Sequence, residues 1–252
     1  MRLQAKKTIY LREKVLGGSK PLICVPLVAE EEKNLKKEAK SIIRLFPDVI
    51  EWRADFFEEV CDIEKVKNAL KMLRCIIKET PLIFTFRSNL EGGFKEVEPT
   101  IRYEIIEQVI STKEIDAVDI ELISDKTNIE KIKIAADKHN VSLILSYHNF
   151  KETPSVEFLV DKMKQQILSG ANIAKIAVMP INEEDVLNLL SATLKVRREI
   201  PDIPLITMSM GELGVISRIA GGLLGSDLTF GSGEKTSAPG QIPVGELRTN
   251  MK

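Results

Sequence analysis

Lys175 is the residue whose type and setting point most directly to chemistry. It lies in Ile173-Ala-Lys-Ile-Ala-Val178, where every neighbour is apolar. A lysine at a strand end often snorkels its ammonium into water, which is the structural alternative. A lysine centred in a core strand is instead placed to serve as an amine nucleophile toward a carbonyl. Its free pKa near ~10.4 leaves little neutral amine at pH 7, so desolvation or a neighbouring cation is expected to favour the reactive form.

His148, in Ser146-Tyr-His-Asn-Phe150, follows the apolar run before the one carrying Lys175 and is suited to proton transfer near neutral pH. The other of the two histidines, His139, falls at an expected helix C-terminus, where a dipole or capping role is sufficient. Glu51 and Arg53 are two residues apart in one apolar run and so face the same side, with Asp55 continuing the series. Arg87 ends another run and leads into Ser88-Asn-Leu-Glu91-Gly-Gly93, where the glycines free the backbone near Glu91. Each charge alone fits a surface ion pair; their arrival at the same end of several strands suggests a shared polar pocket.

Later in the chain, Arg218 in Gly211-Glu-Leu-Gly-Val-Ile-Ser-Arg218 suits bidentate capture of a carboxylate. The Gly231–Gln241 loop, which includes Ser237 and Gln241, reads as a mobile lid or, alternatively, as a phosphate-binding loop. Gly233-Glu234-Lys235 lacks the Gly-Lys-Ser/Thr register of a nucleotide-binding P-loop. No Cys/His spacing supports a metal site, and none is expected.

These residues must be held by repeated elements. Apolar runs recur at Pro21–Val28, Asp48–Arg53, Pro81–Arg87, Asp116–Leu122, Val141–Tyr147, Ile173–Val178, Ile203–Ser209 and Asp227–Gly231. Near-continuous runs of this kind fit parallel strands covered on both faces. Segments with helical spacing separate them: Glu30–Phe46, Ile63–Lys78, Ile101–Ser111, Ile129–His139, Val156–Ser169 and Asp185–Ile200. The alternation predicts an α/β fold, a (βα)₈ barrel, with an open doubly wound sheet as the alternative. Thr8–Ser19, with its Gly-Gly signal, is expected to form an N-terminal β-hairpin over one barrel end.

Bulk composition agrees with one enzyme-sized domain spanning residues 1–252. The chain is 44% hydrophobic with 36 basic and 37 acidic residues, so its near-neutral balance gives no electrostatic reason to expect nucleic acid or a membrane surface. No apolar run approaches the ~20 residues needed to span a bilayer. Three cysteines without a CxxC pair and a charged N-terminus point to a cytoplasmic protein.

Taken together, Glu51-Trp-Arg-Ala-Asp55, Phe86-Arg-Ser-Asn-Leu-Glu-Gly-Gly93, Ser146-Tyr-His-Asn-Phe150, Ala174-Lys-Ile-Ala-Val-Met-Pro180, Met210-Gly with Ser217-Arg218, and Ser237-Ala-Pro-Gly-Gln241 resemble type I 3-dehydroquinate dehydratase, the Schiff-base lyase of the shikimate pathway and aromatic amino acid biosynthesis. The resemblance runs across nearly the whole chain. It implies a homodimeric barrel that dehydrates 3-dehydroquinate without metal or organic cofactor. It further implies Lys175 as the imine-forming lysine, His148 as the general acid/base and Glu91 as its partner. Arg218, Ser237 and Gln241 would be substrate contacts, with Glu51, Arg53 and Arg87 completing the polar wall. Pro26 departs from the small polar residue some members carry, which puts one peripheral substrate contact in doubt. No fused domain is expected after Gln241. The rival readings are a class I aldolase acting through the same imine and a non-catalytic barrel that senses a small anion.

Overall fold

The computed structural model describes residues 2–233 and 236–251. Eight parallel strands alternate with helices: β3 (Leu22–Leu27), β4 (Val49–Arg53), β5 (Leu82–Thr85), β6 (Ala117–Glu121), β7 (Ser142–Asn149), β8 (Ile173–Val178), β9 (Leu205–Ser209) and β10 (Leu228–Phe230). The helices are α1 (Glu32–Ile43), α2 (Ile63–Ile77), α3 (Pro99–Ser111), α4 (Lys126–His139), α5 (Val156–Leu168), α6 (Glu183–Glu199), α7 (Val215–Leu224) and α8 (Val244–Asn250). The ladder runs β10-β3-β4-β5-β6-β7-β8-β9, and a single bridge, Leu205 to Ser226, brings its ends together. The expected (βα)₈ barrel is therefore the observed fold. Among the described residues, no helix is long and apolar enough to cross a membrane.

Side-chain alternation explains both faces of the barrel. On β8, Ala174, Ile176 and Val178 pack outward against α5 and α6 residues such as Leu159 and Leu189, while Ile173 and Ala177 join the interior cluster. Lys175 shares their parity and is buried inside the barrel. The interior is apolar at its base, where Cys24, Val49, Ile83, Ala117, Ile144, Ile173, Ile206 and Leu228 meet. Polar residues replace them one step higher: Glu51, Thr85, Asp119, Ser146 and Lys175 are all buried.

Local signals account for the helices. Asp62 caps α2, Asp125 caps α4, Ser155 caps α5 and Asn182 caps α6, each accepting from a first-turn backbone N–H. Three acids open α6 and two arginines close it, matching the helix dipole. The sequence reading delineated neither α7 nor α8. In α7 the usual pattern is inverted, with Ser217, Arg218, Gly221 and Gly222 buried while Ile216 and Leu223 are exposed, and α8 is only seven residues long. Two strand ends also shift: β7 continues to Asn149, so His148 lies within a strand, and β5 stops at Thr85, two residues before Arg87.

The N-terminal hairpin pairs β1 (Ile9–Leu11) with β2 (Lys14–Leu16). Its turn falls at Arg12–Glu13, not at the glycines. Gly17 instead leaves β2 with φ +88°, where a Cβ would press on Ala5. Arg12 pairs with Asp116 at 2.8 Å and Lys14 with Asp48 at 3.0 Å, just before β6 and β4, so the hairpin covers the N-terminal mouth. Leu11 and Leu16 enter the interior cluster from below. Leu16→Ala should cost about 2–5 kcal/mol, read as a lower urea midpoint, while leaving turnover intact because the cavity described next opens at the opposite end. An unchanged midpoint would show that the hairpin does not plug the core.

Candidate active site

At the C-terminal end of the barrel a cavity of about 430 Å³, counted with its open mouth, collects most of the charged residues singled out from the sequence. Glu51, Arg53, Arg87, Glu91, His148, Lys175, Ser237 and Gln241 all line it. Met208, Met210, Phe230 and Phe150 supply apolar wall. Arg218 does not line this cavity, and neither does Pro26.

Lys175 is not an isolated amine in an apolar strand, as its sequence neighbours suggested. Its Nζ lies 2.6 Å from Asp119 Oδ2 and 3.4 Å from Glu51 Oε1, and 4.8 Å from the centre of the Phe230 ring. Glu51 also accepts from the Thr85 hydroxyl at 2.8 Å. Burial alone would raise the Asp119 carboxyl, yet Arg87 and then Lys175 hold it well below the usual carboxylate range.

Arg87 joins this pair to the rest of the site. It contacts Asp119 at 2.9 Å, Glu121 at 2.8 Å and the Ser146 hydroxyl at 2.8 Å. Glu121 in turn accepts from Arg102 of α3 at 2.9 Å and from the Ser88 backbone at 2.9 Å. Burial works against the Arg87 charge, but Asp119 and Glu121 raise its pKa above the ordinary arginine value.

A second buried carboxylate, Asp55, fixes the loop that carries Glu91. It takes two hydrogen bonds from Arg53, at 2.8 and 2.7 Å, and one from the Phe94 backbone at 2.9 Å. Glu91 closes a 3₁₀ turn capped by the Ser88 side chain. Its Oε2 accepts the His148 backbone N–H at 2.8 Å and sits 3.0 Å from His148 Nδ1.

Burial dominates this second pair. It raises the Glu91 carboxyl to about 8, partly opposed by Arg87, and drives the His148 imidazole well below its ordinary 6.5 with Arg87 and Lys175 adding repulsion. Both shifts favour the uncharged forms. With Glu91 Oε2 accepting at Nδ1–H, the imidazole leaves Nε2 as its acceptor nitrogen. His148 occupies the register position opposite Ala177, one same-face step above the Ser146–Lys175 pair.

Arg218 lies on α7 behind the wall, 1% exposed. It donates to the Pro239 carbonyl at 2.9 Å and the Phe230 carbonyl at 3.4 Å, while its Nε has no partner. No carboxylate pairs with it among the described residues, and burial lowers its pKa to about 10. The loop above it is closed on itself: Ser237 N–H donates to Gln241 Oε1 at 2.9 Å and Gln241 Nε2 to Ser237 Oγ at 3.0 Å. Gly240, at φ +75°, packs on the Gly211 carbonyl too closely for any side chain. Glu234 and Lys235, which decided against a P-loop, lie outside the described residues.

The sequence reading did not single out Asp119, Glu121 or Arg102. For Asp119 and Glu121 the signal was present, because they alternate in Ala117-Val-Asp-Ile-Glu121 as Glu51 and Arg53 do in theirs. Arg102 carries no such signal, being one charged residue among several on α3.

The model of the type I 3-dehydroquinase family matches residues 23–252. The chain belongs to that family. A curated 3-dehydroquinate dehydratase from Bacillus licheniformis is 45% identical over 243 residues, 96% of each chain. The crystal structure of the 3-dehydroquinate dehydratase from Geobacillus kaustophilus superposes with a TM-score of 0.97 at 43% identity, covering 100% of this chain and 97% of the other. A type I relative from Clostridium difficile, solved with covalently modified comenic acid, gives 0.94 at 41% identity, covering 98% and 96%. As a member of the type I 3-dehydroquinase family the chain is an enzyme, a dehydratase of the shikimate pathway, which sets aside the non-catalytic sensor.

The Glu91–His148 pair has a testable pH signature. A raised carboxyl contributes stability that is complete below its ordinary 4.5 and lost as pH rises through about 8. A depressed imidazole contributes stability that is complete above 6.5 and lost as pH falls toward its folded value. Urea titrations should therefore show Glu91→Gln escaping the stability loss that the native protein suffers between pH 4.5 and 8. Nitrogen NMR should find His148 neutral below pH 6.5; an imidazolium there would contradict the buried geometry.

Proposed function

We propose that the chain dehydrates 3-dehydroquinate to 3-dehydroshikimate and water through a covalent imine on Lys175, with His148 as general acid and base. The observation that carries this reading is the placement of a buried, ion-paired lysine and, one same-face step above it, an imidazole whose burial favours its neutral form, in one cavity. The covalently modified acid in the Clostridium difficile relative supports covalent capture at such a site.

The Lys175 ammonium gives one proton to His148 Nε2, the freed amine attacks the C3 ketone, and the His148 imidazolium returns that proton to the carbinolamine hydroxyl, which leaves as water. The iminium withdraws electrons, so His148 Nε2 can take the C2 proton and leave an enamine. The imidazolium then returns that proton to the C1 hydroxyl, which departs as water, and hydrolysis frees Lys175. Glu91 supports these transfers from Nδ1, where its Oε2 holds the ring in the orientation that leaves Nε2 toward the substrate. The iminium is the electron sink, so this sequence calls for no metal or organic cofactor.

Arg218 stands behind the cavity wall under Pro239, and its assignment to the substrate carboxylate requires the Ser237–Gln241 loop to shift; the unpartnered buried Nε supports that assignment. Ser237 and Gln241 contact the substrate from the closing loop, and Glu51, Arg53 and Arg87 complete the polar wall. The whole chain acts as one barrel domain, as a homodimer in the cytoplasm, where its three free cysteines are compatible with a reducing medium.

Borohydride added with 3-dehydroquinate should attach substrate mass to Lys175, and Lys175→Ala should give no adduct. Turnover in Lys175→Ala at the native rate would refute the imine. His148→Ala should still trap substrate while kcat falls by about 10²–10⁴. Arg218→Lys should raise KM by about tenfold or more through loss of a charge-assisted hydrogen bond, with a smaller effect on kcat; an unchanged KM would remove Arg218 from substrate binding.

A further inference from the structure

Asp119 is wholly buried on β6, and three donors, on β7, on β8 and just after β5, hold its carboxylate. Lys175 Nζ meets Oδ2 at 2.6 Å, while Arg87 Nη2 at 2.9 Å and the Ser146 hydroxyl at 2.7 Å meet Oδ1. Glu51 is farther from the lysine nitrogen, at 3.4 Å, and shares its nearer oxygen with Thr85. Asp119 is thus the anion that lies closest to the nitrogen and has the most fixed orientation.

Charge at that nitrogen alternates through an imine mechanism. It is positive in the ammonium, neutral at attack, positive in the iminium, neutral in the enamine and positive again before hydrolysis. Lys175 is only 4% exposed, so water gives the cationic stages little help. A preoriented anion stabilises each of them without reorganising, and a charge-assisted contact in a dry site is strong. Arg87 and Lys175 keep Asp119 ionised, so it holds the N–H without removing its proton.

We propose that Asp119 is the fixed counterion of the Lys175 iminium, oriented by Arg87 and Ser146. The assignment rests on the imine reading of Lys175 and adds a residue to it. The carboxylate also gives the iminium N–H one direction, toward Oδ2. The plane of the C=N bond is thereby set, along with the face from which His148 reaches C2.

The test is cyanoborohydride trapping with 3-dehydroquinate across pH, read by intact-protein mass, because hydride reduces the protonated iminium. In Asp119→Asn the pH at which trapping is half-maximal should fall by about one to three units relative to the native enzyme, the usual effect of losing a close opposite charge. Its kcat should fall about a hundredfold. Ser146→Ala keeps the ion pair and loses the hydroxyl's hydrogen bonds with Asp119 and Arg87, so a smaller shift in the same direction is expected. An Asp119→Asn enzyme with the native pH dependence of trapping overturns the proposal while leaving the imine intact. If Asp119→Asn does not fold because Arg87 loses a partner, Ser146→Ala decides, and an unshifted profile there overturns it. A native enzyme that gives no adduct on Lys175 removes the imine and this role together.

Discussion

Arg87 bridges Asp119 and Glu121 inside the barrel, and the rest of the site depends on that bridge. Several ionised groups share an interior where each unpaired charge would cost several kcal/mol. One guanidinium makes them compatible: it faces two carboxylates and one hydroxyl, and Arg102 closes the far side of Glu121. The same network reaches the Ser88 backbone through Glu121, so it also helps fix the loop that carries Glu91. Electrostatic balance and placement of the proton-transfer pair are thus one arrangement.

Two neighbouring pairs resolve burial in opposite ways. Glu91 and His148 both shift toward their uncharged forms, because desolvation outweighs the attraction that ionising them would create. Lys175 and Asp119 form an ion pair, because Arg87 supplies a second positive partner for the aspartate. One side of the cavity is a proton store with no net charge, and the other is a fixed dipole. A reaction that moves a proton and forms a cation at nitrogen uses each for a different purpose.

The fold was legible because parallel strands covered on both faces appear as apolar runs, and eight of them alternating with helical spacing leave few architectures. Lys175 stood out because a charge interrupts such a run, and His148 because it is one of only two histidines. Asp119 carried the alternation that groups it with Glu121 on one face, but its own run does not say which charge it meets. The ion pair at Lys175 joins strands whose residues are 56 apart in sequence, and no local pattern encodes that pairing. Arg218 was visible as an arginine, but its place behind the wall required α7, whose buried face is Ser217, Arg218 and two glycines instead of an apolar stripe. The hairpin turn was misplaced because Gly-Gly usually marks a turn, whereas Arg12 adopts the positive φ of 51° here.

Between β9 and β10 the barrel is closed less by ladder than by side chains. Asp227 Oδ2 accepts the Leu205 N–H at 2.8 Å and pairs with Arg197, and Ser226 Oγ accepts the Thr207 N–H at 3.0 Å. Backbone ladders are indifferent to which residues form them; these stitches are not. Circular closure in this protein is therefore written partly in side-chain identity, so evolution can loosen or tighten one hoop without redrawing the chain path. That adjustable hoop lies at the starts of β9 and β10, at the opposite end of the barrel from the cavity and the Ser237–Gln241 loop, so closure can be tuned away from where ligands enter and leave.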